Sequence, residues 1–367
     1  NPSDKNNPQS FYYARLQRSA GNSVETNDIC YDYDADGILD GGSEAELVNL
    51  DSVQKSDRFL TVVDEPIRGR CEVWLPKFLQ TKDQAQSEAE YCDVYIGIPV
   101  LKSHGLCGTT GALKLHWGSM LGLLEKQEHA GYGFGTGDIR MFLDYLCAMN
   151  RARGFDLVIM DALTGNRSGP ANKVEDKDAK TDFILVNAIL CSSDSAAIDT
   201  VETLLCGYQL DSVPLLESAF RDGIGINKPA HIDLLGFDAF ANHKQWLREH
   251  YPGCMTGSYP FENGWGNAKI QDDFNPPVDA KASCKREGTG YMFEYTVSEP
   301  TPCIHKLARI DLLVNGTVVQ RIFDNLKGGR VAIDLAEYRG QNVRCRIAAW
   351  DMALNCTLSE ETEMKVD

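Results

Sequence analysis

The chain of 367 residues has no run of 18 apolar residues, and its longest candidates, such as Asp156 to Met160 and Phe183 to Leu190, are strand-length pieces. Nothing in it reads as a membrane span. Positive charge is also scarce. The 36 Lys and Arg residues against 53 Asp and Glu leave a net charge of −17. Such a surface repels phosphate backbones and anionic lipid head groups, so nucleic acid and membranes are poor partners. Twelve cysteines include no Cys-x-x-Cys pair and no close Cys/His cluster of zinc-ribbon or ferredoxin spacing, which takes most of the support from iron–sulfur and structural zinc readings. Gly-x-Ser-x-Gly, P-loop and His-Glu-x-x-His motifs are absent too. Standard hydrolase, kinase and zincin mechanisms therefore have no support. Residues 1–8 contain neither a basic nor an apolar leader region, and the expectation is a mature N-terminus whose targeting segment has been removed.

What is present suits a folded protein of two domains. Apolar residues make up 43% of the chain, enough to fill real cores at this length. The cysteines are even in number and widely spaced, eight before residue 275 and four after. That usage fits an oxidising compartment, and the expected location is secreted, cell-surface or periplasmic, with disulfides closing inside each domain. Their pairing is not legible, and buried, inert thiols are the alternative. Asn166, Asn315 and Asn355 open sequons, which matter only in a glycosylating host.

Residues 1–274 alternate short apolar strand candidates with longer helical stretches, the pattern of an α/β domain. Strands are predicted at 93–101, 155–160 and 183–190, and helices at 119–127, 139–151, 195–205 and 213–221. The near-continuous hydrophobicity of the strands predicts a central, mostly parallel sheet buried on both faces by flanking helices. Asn275-Pro-Pro-Val-Asp-Ala280 is a stiff break, after which short alternating runs at 290–297, 308–314, 317–323, 330–335 and 342–350 predict an all-β domain over 275–367. An Asn315-Gly316 hairpin turn joins two of the runs, and the spacing suggests an immunoglobulin- or fibronectin-like sandwich. With 12 basic and 13 acidic residues from 275 onward, the acidity of the chain belongs to its α/β part.

Two clusters stand out chemically. Asp32, Asp34, Asp36 and Asp40 occupy positions 1, 3, 5 and 9 of a loop with Gly37 at position 6, the arrangement of an EF-hand calcium loop; the Ile38 carbonyl would be the position-7 ligand. Position 12 is Ser43, and Glu44 follows one residue late. Calcium is the expected cofactor there, and an exposed Asp36-Gly37 hairpin turn is the alternative. The second cluster repeats Lys-x-His twelve residues apart, at Lys102/His104 and Lys114/His116. Lys102 follows a strand end, where open α/β sheets bind ligands. Basic side chains inside an acidic domain point to a small anionic ligand, and His104 and His116 are candidates to move a proton or hold a transition metal. A Gly131-to-Gly137 run lacks the context of a dinucleotide fingerprint and reads as a lid or a plain loop.

These residues carry a family resemblance. Ile98-Pro-Val-Leu-Lys102-Ser-His104, then Thr110-Gly-Ala-Leu-Lys114 and Gly118, resembles the hallmark stretch of the domain of unknown function 362 family. Asp161-Ala-Leu-Thr-Gly165 through Gly169-Pro170, Asp194-Ser-Ala-Ala-Ile-Asp199, and Ile224-Gly225 with Ile232 to Gly236 are similar to its later elements, so the likeness runs from about 55 to 240. Some members carry ferredoxin-type clusters, whose motif this chain lacks. His116 stands where the family usually has Asn. Taken with the residue-level reading, the expected site gathers Lys102, His104, Lys114, His116, Asp161 and Asp199 at one rim of the sheet. The lysines would hold a small anion, His104 would transfer a proton or bind metal, and the aspartates would ligate or orient. The rival expectation is a non-catalytic, calcium-stabilised extracellular binding or assembly protein, acting as a homo-oligomer or with an extracellular partner.

Overall fold

A computed structural model describes residues 12–16, 45–49, 58–65, 69–87, 91–104, 107–119, 139–166, 183–250, 277, 279–299 and 306–367. In chain order the elements are β1 (Tyr12–Leu16), β2 (Ala45–Asn49), β3 (Arg58–Glu65), β4 (Gly69–Pro76), β5 (Ile96–Gly97), β6 (Val100–His104), β7 (Gly108–Thr109) and α1 (Gly111–Leu115). They continue with α2 (Ile139–Ala152), β8 (Leu157–Asn166), β9 (Phe183–Ser192), α3 (Ser195–Leu205), α4 (Pro214–Arg221) and α5 (Phe237–His250). The all-β part holds β10 (Asp279–Glu287), β11 (Gly290–Ser298), β12 (Leu307–Val314), β13 (Thr317–Ile322), β14 (Gly328–Ile333), β15 (Asn342–Asp351), β16 (Cys356–Leu358) and β17 (Thr362–Lys365). Compact unit 1 comprises residues 1–95 and 114–154; unit 2 comprises 96–113 and 155–367. The expected boundary near 275 falls inside the second.

In unit 1, β1 pairs antiparallel with β2, and β3 with β4. Helix α2 lays Phe142, Leu143, Leu146 and Met149, all at most 2% exposed, toward a core that includes Val73, Leu75 and Leu79. Their i, i+3, i+4 spacing is what makes one face of a helix bury.

Unit 2 is built on a mixed sheet in the order β5-β8-β6-β7, with β9 on the other side of β8. β5 and β6 run parallel to β8, whereas β9 is antiparallel to β8 and β7 to β6. The mostly parallel sheet expected from the sequence is thus corrected to a mixed one. Only three residues separate β6 from β7, and a link that short permits only an antiparallel return. Burial of both faces is corrected too. Leu101 is buried, but Ile96, Ile98 and Val100 are exposed, and so are Leu185 and Ile189 on β9. The apolar run alternates with period two.

Helix α3 covers the expected 195–205. Asp194 caps it by accepting the Ala196 and Ala197 amides, both at 2.9 Å, and Gly207 follows its end at φ +80°, as cap preferences require. Nine of its eleven residues are buried, Asp199, Thr200, Glu202 and Thr203 among them.

The all-β part forms two antiparallel sheets, β10-β11-β14 and β13-β12-β15-β16, with β17 also on β15. They share one core that includes Phe293, Ile310, Leu312, Val343 and Ile347, each fully buried. Asn315 (φ +51°) and Gly316 (φ +83°) make the expected hairpin turn between β12 and β13. Within the same unit the segment 229–244 covers the outer side of β12 and β15. The Arg309 guanidinium donates to the Ala230 and Ile232 carbonyls, and the Lys244 ammonium donates to the Ala353 carbonyl at 3.1 Å and to Asn355 Oδ1 at 2.7 Å. Asn355 is only 5% exposed, so its sequon is closed in the folded state. No helix among the described residues is long and apolar enough to cross a membrane.

Candidate functional site

Two acidic side chains on α3 organise the site. Asp199 and Glu202 lie three positions apart, one helical turn, and are 2% and 0% exposed. Asp199 accepts the Ala112 amide at 2.5 Å and the Leu113 amide at 2.9 Å, which binds the first turn of α1 to the middle of α3. Gly111 allows this approach. A Cβ there would stand 2.1 Å from Asp199 Oδ1, and its φ of +33° is one that other residues rarely adopt. Asp194 makes a second tie: its Oδ2 accepts the Ile226 amide at 2.8 Å, and a Cβ on the neighbouring Gly225 would lie 2.2 Å from Asp194 Oδ1.

Glu202 reaches the middle of β6, where its Oε1 accepts the Lys102 amide at 3.4 Å. Its Oε2 has no hydrogen-bond partner among the described residues. Thr110 returns to the same strand, donating its amide to the Lys102 carbonyl at 3.1 Å and its hydroxyl at 3.4 Å. Thr109 and Thr203 hydroxyls meet beside it at 3.4 Å.

Burial sets the electrostatics. It raises the Asp199 carboxyl to about 7 against the opposing pull of its two amide donors, with Asp194 adding a smaller push upward. Burial and the neighbouring Asp199 drive Glu202 well above the carboxylate range, and the Lys102 amide and charge oppose this only in part. Two carboxyls one turn apart and out of water resist carrying two negative charges. The pair therefore retains a proton near neutrality. Burial lowers the Lys102 ammonium, and Glu202 partly restores it.

Residues 47–203 match the family described as Domain of unknown function (DUF362). The chain carries a DUF362 domain. Its matched span closes on α3, so the DUF362 segment holds Lys102, Gly111, Asp161, Asp194, Asp199 and Glu202, while Gly225 and the all-β part lie beyond it. No curated protein matches the chain. Among solved structures, that of the Clostridium perfringens spore cortex lytic enzyme SleM is similar over 25% of this chain at 18% identity with a TM-score of 0.20. The likeness spans 28% of the SleM chain.

The DUF362 fold brings Lys102 and Asp199 together through Glu202. The other expected residues are placed separately. Asp161 sits on β8 opposite Val100, whereas Lys102 pairs with Asn166. Asp161 Oδ1 accepts the Leu163 amide at 3.0 Å. His104 ends β6 and pairs with Gly108, its side chain lying outside the described residues. Lys114 and His116 belong to unit 1. There His116 is fully buried, edge-on to Tyr95 at 5.5 Å. Burial and the nearby Arg153 push its pKa down to about 3, so it is a neutral core imidazole. The loop of Asp32, Asp34, Asp36, Ile38, Asp40 and Glu44 lies outside the described residues, as does the 131–137 run. Among the described residues no group of three or more His, Cys, Asp or Glu side chains is arranged to hold a metal. Sequence reasoning missed Glu202. Its signal was a second acid one turn beyond Asp199 in an apolar helix.

Proposed function

We propose that this is an exported protein whose DUF362 domain uses a lysine–carboxyl acid–base site on a small anionic substrate. The observation that carries the reading is Glu202, a buried acid that accepts the Lys102 amide with one oxygen and keeps the other without a hydrogen-bond partner among the described residues. In this reading the half-buried Lys102 ammonium attracts the anion, because a cation held partly out of water is poorly screened. The Asp199–Glu202 pair supplies or stores one proton, since its shared proton is exchangeable near neutrality. His104, two residues along β6 from Lys102, is the candidate to pass that proton to the substrate. Asp199 acts through position, fixing α1 and with it, through Thr110, the Lys102 position of β6. The wide spacing of the cysteines supports export, and the strand order of the all-β part supports an immunoglobulin- or fibronectin-type sandwich.

Melting temperature in the presence of inorganic phosphate, acetate and malonate tests the site. The wild-type protein should be stabilised by at least one of these anions in a saturable way, and Lys102→Met should abolish the response while leaving the anion-free melting temperature within a few degrees. Equal anion responses from the two proteins would overturn the proposal. Once turnover is measurable, His104→Ala should lose it by about 100-fold or more with the fold intact.

A further inference from the structure

Cys284 on β10 and Cys345 on β15 belong to the two different sheets of the all-β part. They are 5% and 0% exposed and share its core with Phe293, Val343 and Ile347. Strands β10 and β15 pack against each other across that core, and each thiol shifts the titration of the other. Cys284 stands opposite Phe293 on β11, and Cys345 opposite Val314 on β12, so each is held by a ladder on its own sheet with its side chain in the core the sheets share. Sulfurs that meet between two fixed strands need little further motion to bond, whereas most cysteine pairs in a fold fail on distance or direction.

We propose that Cys284 and Cys345 are a disulfide-forming pair that locks the two sheets together when the chain folds in the presence of a disulfide oxidant. During folding the thiolate of one cysteine displaces one thiolate from a low-molecular-weight disulfide to give a mixed disulfide, and the sulfur of the other cysteine then displaces the second. The pair loses two electrons and two protons. The oxidant's S–S bond takes up both electrons, and its two thiolates accept the protons. Because both sulfurs are buried, the bond closes during folding rather than by attack on the finished domain. It would link positions 61 apart in sequence, and a loop of that length loses much freedom in the unfolded chain when closed.

The full chain, unfolded and refolded at equilibrium in a buffer of reduced and oxidised glutathione, provides the test. After the remaining thiols are alkylated, peptide mapping should recover the Cys284 and Cys345 peptides as one crosslinked species that reductant separates. The oxidised protein should melt on the order of 10 °C above the reduced one in the transition of the all-β part. Cys284→Ala/Cys345→Ala should lose that difference, and if the variant does not fold, the wild-type map alone decides. Recovery of both cysteines alkylated, or joined to other cysteines, at potentials where glutathione itself is mostly oxidised would overturn the proposal.

Discussion

Glu202 shows how a side chain acquires chemistry from where it is put. On an exposed helix it would be an ordinary surface carboxylate, but here it is fully buried beside Asp199, and both acids resist ionisation. The consequence for stability runs opposite to that of a salt-bridged acid. Asp199 rises from 3.8 to about 7, so between those values the folded chain holds a proton that the unfolded chain has released. Stability from this pair is complete below about pH 4 and is lost as pH rises through 7, with a slope of up to about 1.4 kcal/mol per pH unit for each proton. Glu202→Gln keeps the shape of the protonated acid and removes its titration. Urea unfolding from pH 5 to 8 should therefore show wild type losing stability relative to the Gln variant as pH increases. Parallel curves for the two proteins would show that the pair does not titrate as a unit.

Helix α3 is the element around which the DUF362 motifs make physical sense. Asp194 caps its start and grips the Ile226 amide, and Asp199 grips the start of α1 from its middle. Two glycines, Gly111 and Gly225, stand where a methyl group would meet these carboxylates at 2.1 and 2.2 Å. The Thr-Gly and Asp-x-x-x-x-Asp elements are thus two halves of one fastening. Gly111→Ala adds a methyl to a left-handed backbone position that is already occupied by a carboxylate. We expect it to destabilise the protein by about 3 kcal/mol or more, by forced displacement of Asp199 and loss of its two amide bonds. Denaturant unfolding measures this directly, and a loss under about 1 kcal/mol would contradict the fastening. The Asp194 cap was legible in the sequence, because an acid directly before an apolar periodic stretch is a cap signal. The partner of Asp199 was not, since it lies 87 positions away.

At the scale of unit 2, the all-β part is fastened to the segment before it by buried charge. Arg309 is 2% exposed and is paired at 2.9 Å with Asp311, itself 3% exposed, while Trp350 donates to the other Asp311 oxygen at 2.9 Å. Phe237 on α5 meets Trp350 edge-on at 5.4 Å. Removing Arg309 leaves the buried Asp311 carboxylate with the Trp350 donor and the more distant Arg321, at 3.7 Å, as its compensation. Arg309→Met should accordingly lose about 3–5 kcal/mol, and adding Asp311→Leu should recover a large part of it. Guanidinium unfolding of the single and double variants checks this. A double variant as unstable as the single one would mean that lost packing, not the orphaned carboxylate, dominates.

Local rules carried the sequence a long way. The helices at 139–152 and 195–205, the Asn315-Gly316 turn and five strands of the all-β part follow from periodicity, caps and turn chemistry, which depend on residues a few positions apart. The strand β10 was missed because Lys281, Lys285 and Arg286 interrupt its apolar alternation, and α5 because its mean hydropathy is low and its polar residues dominate. Tertiary structure alone decided the direction of β9, the exposure of one face of the sheet, the meeting of Cys284 with Cys345 and the union of Lys102, Asp199 and Glu202. Each of these joins residues distant in the chain. Side-chain type specifies what a group can do in water, but the dielectric around it and the partner it meets are set only when strands and helices pack, and those two quantities fix protonation, reactivity and strain.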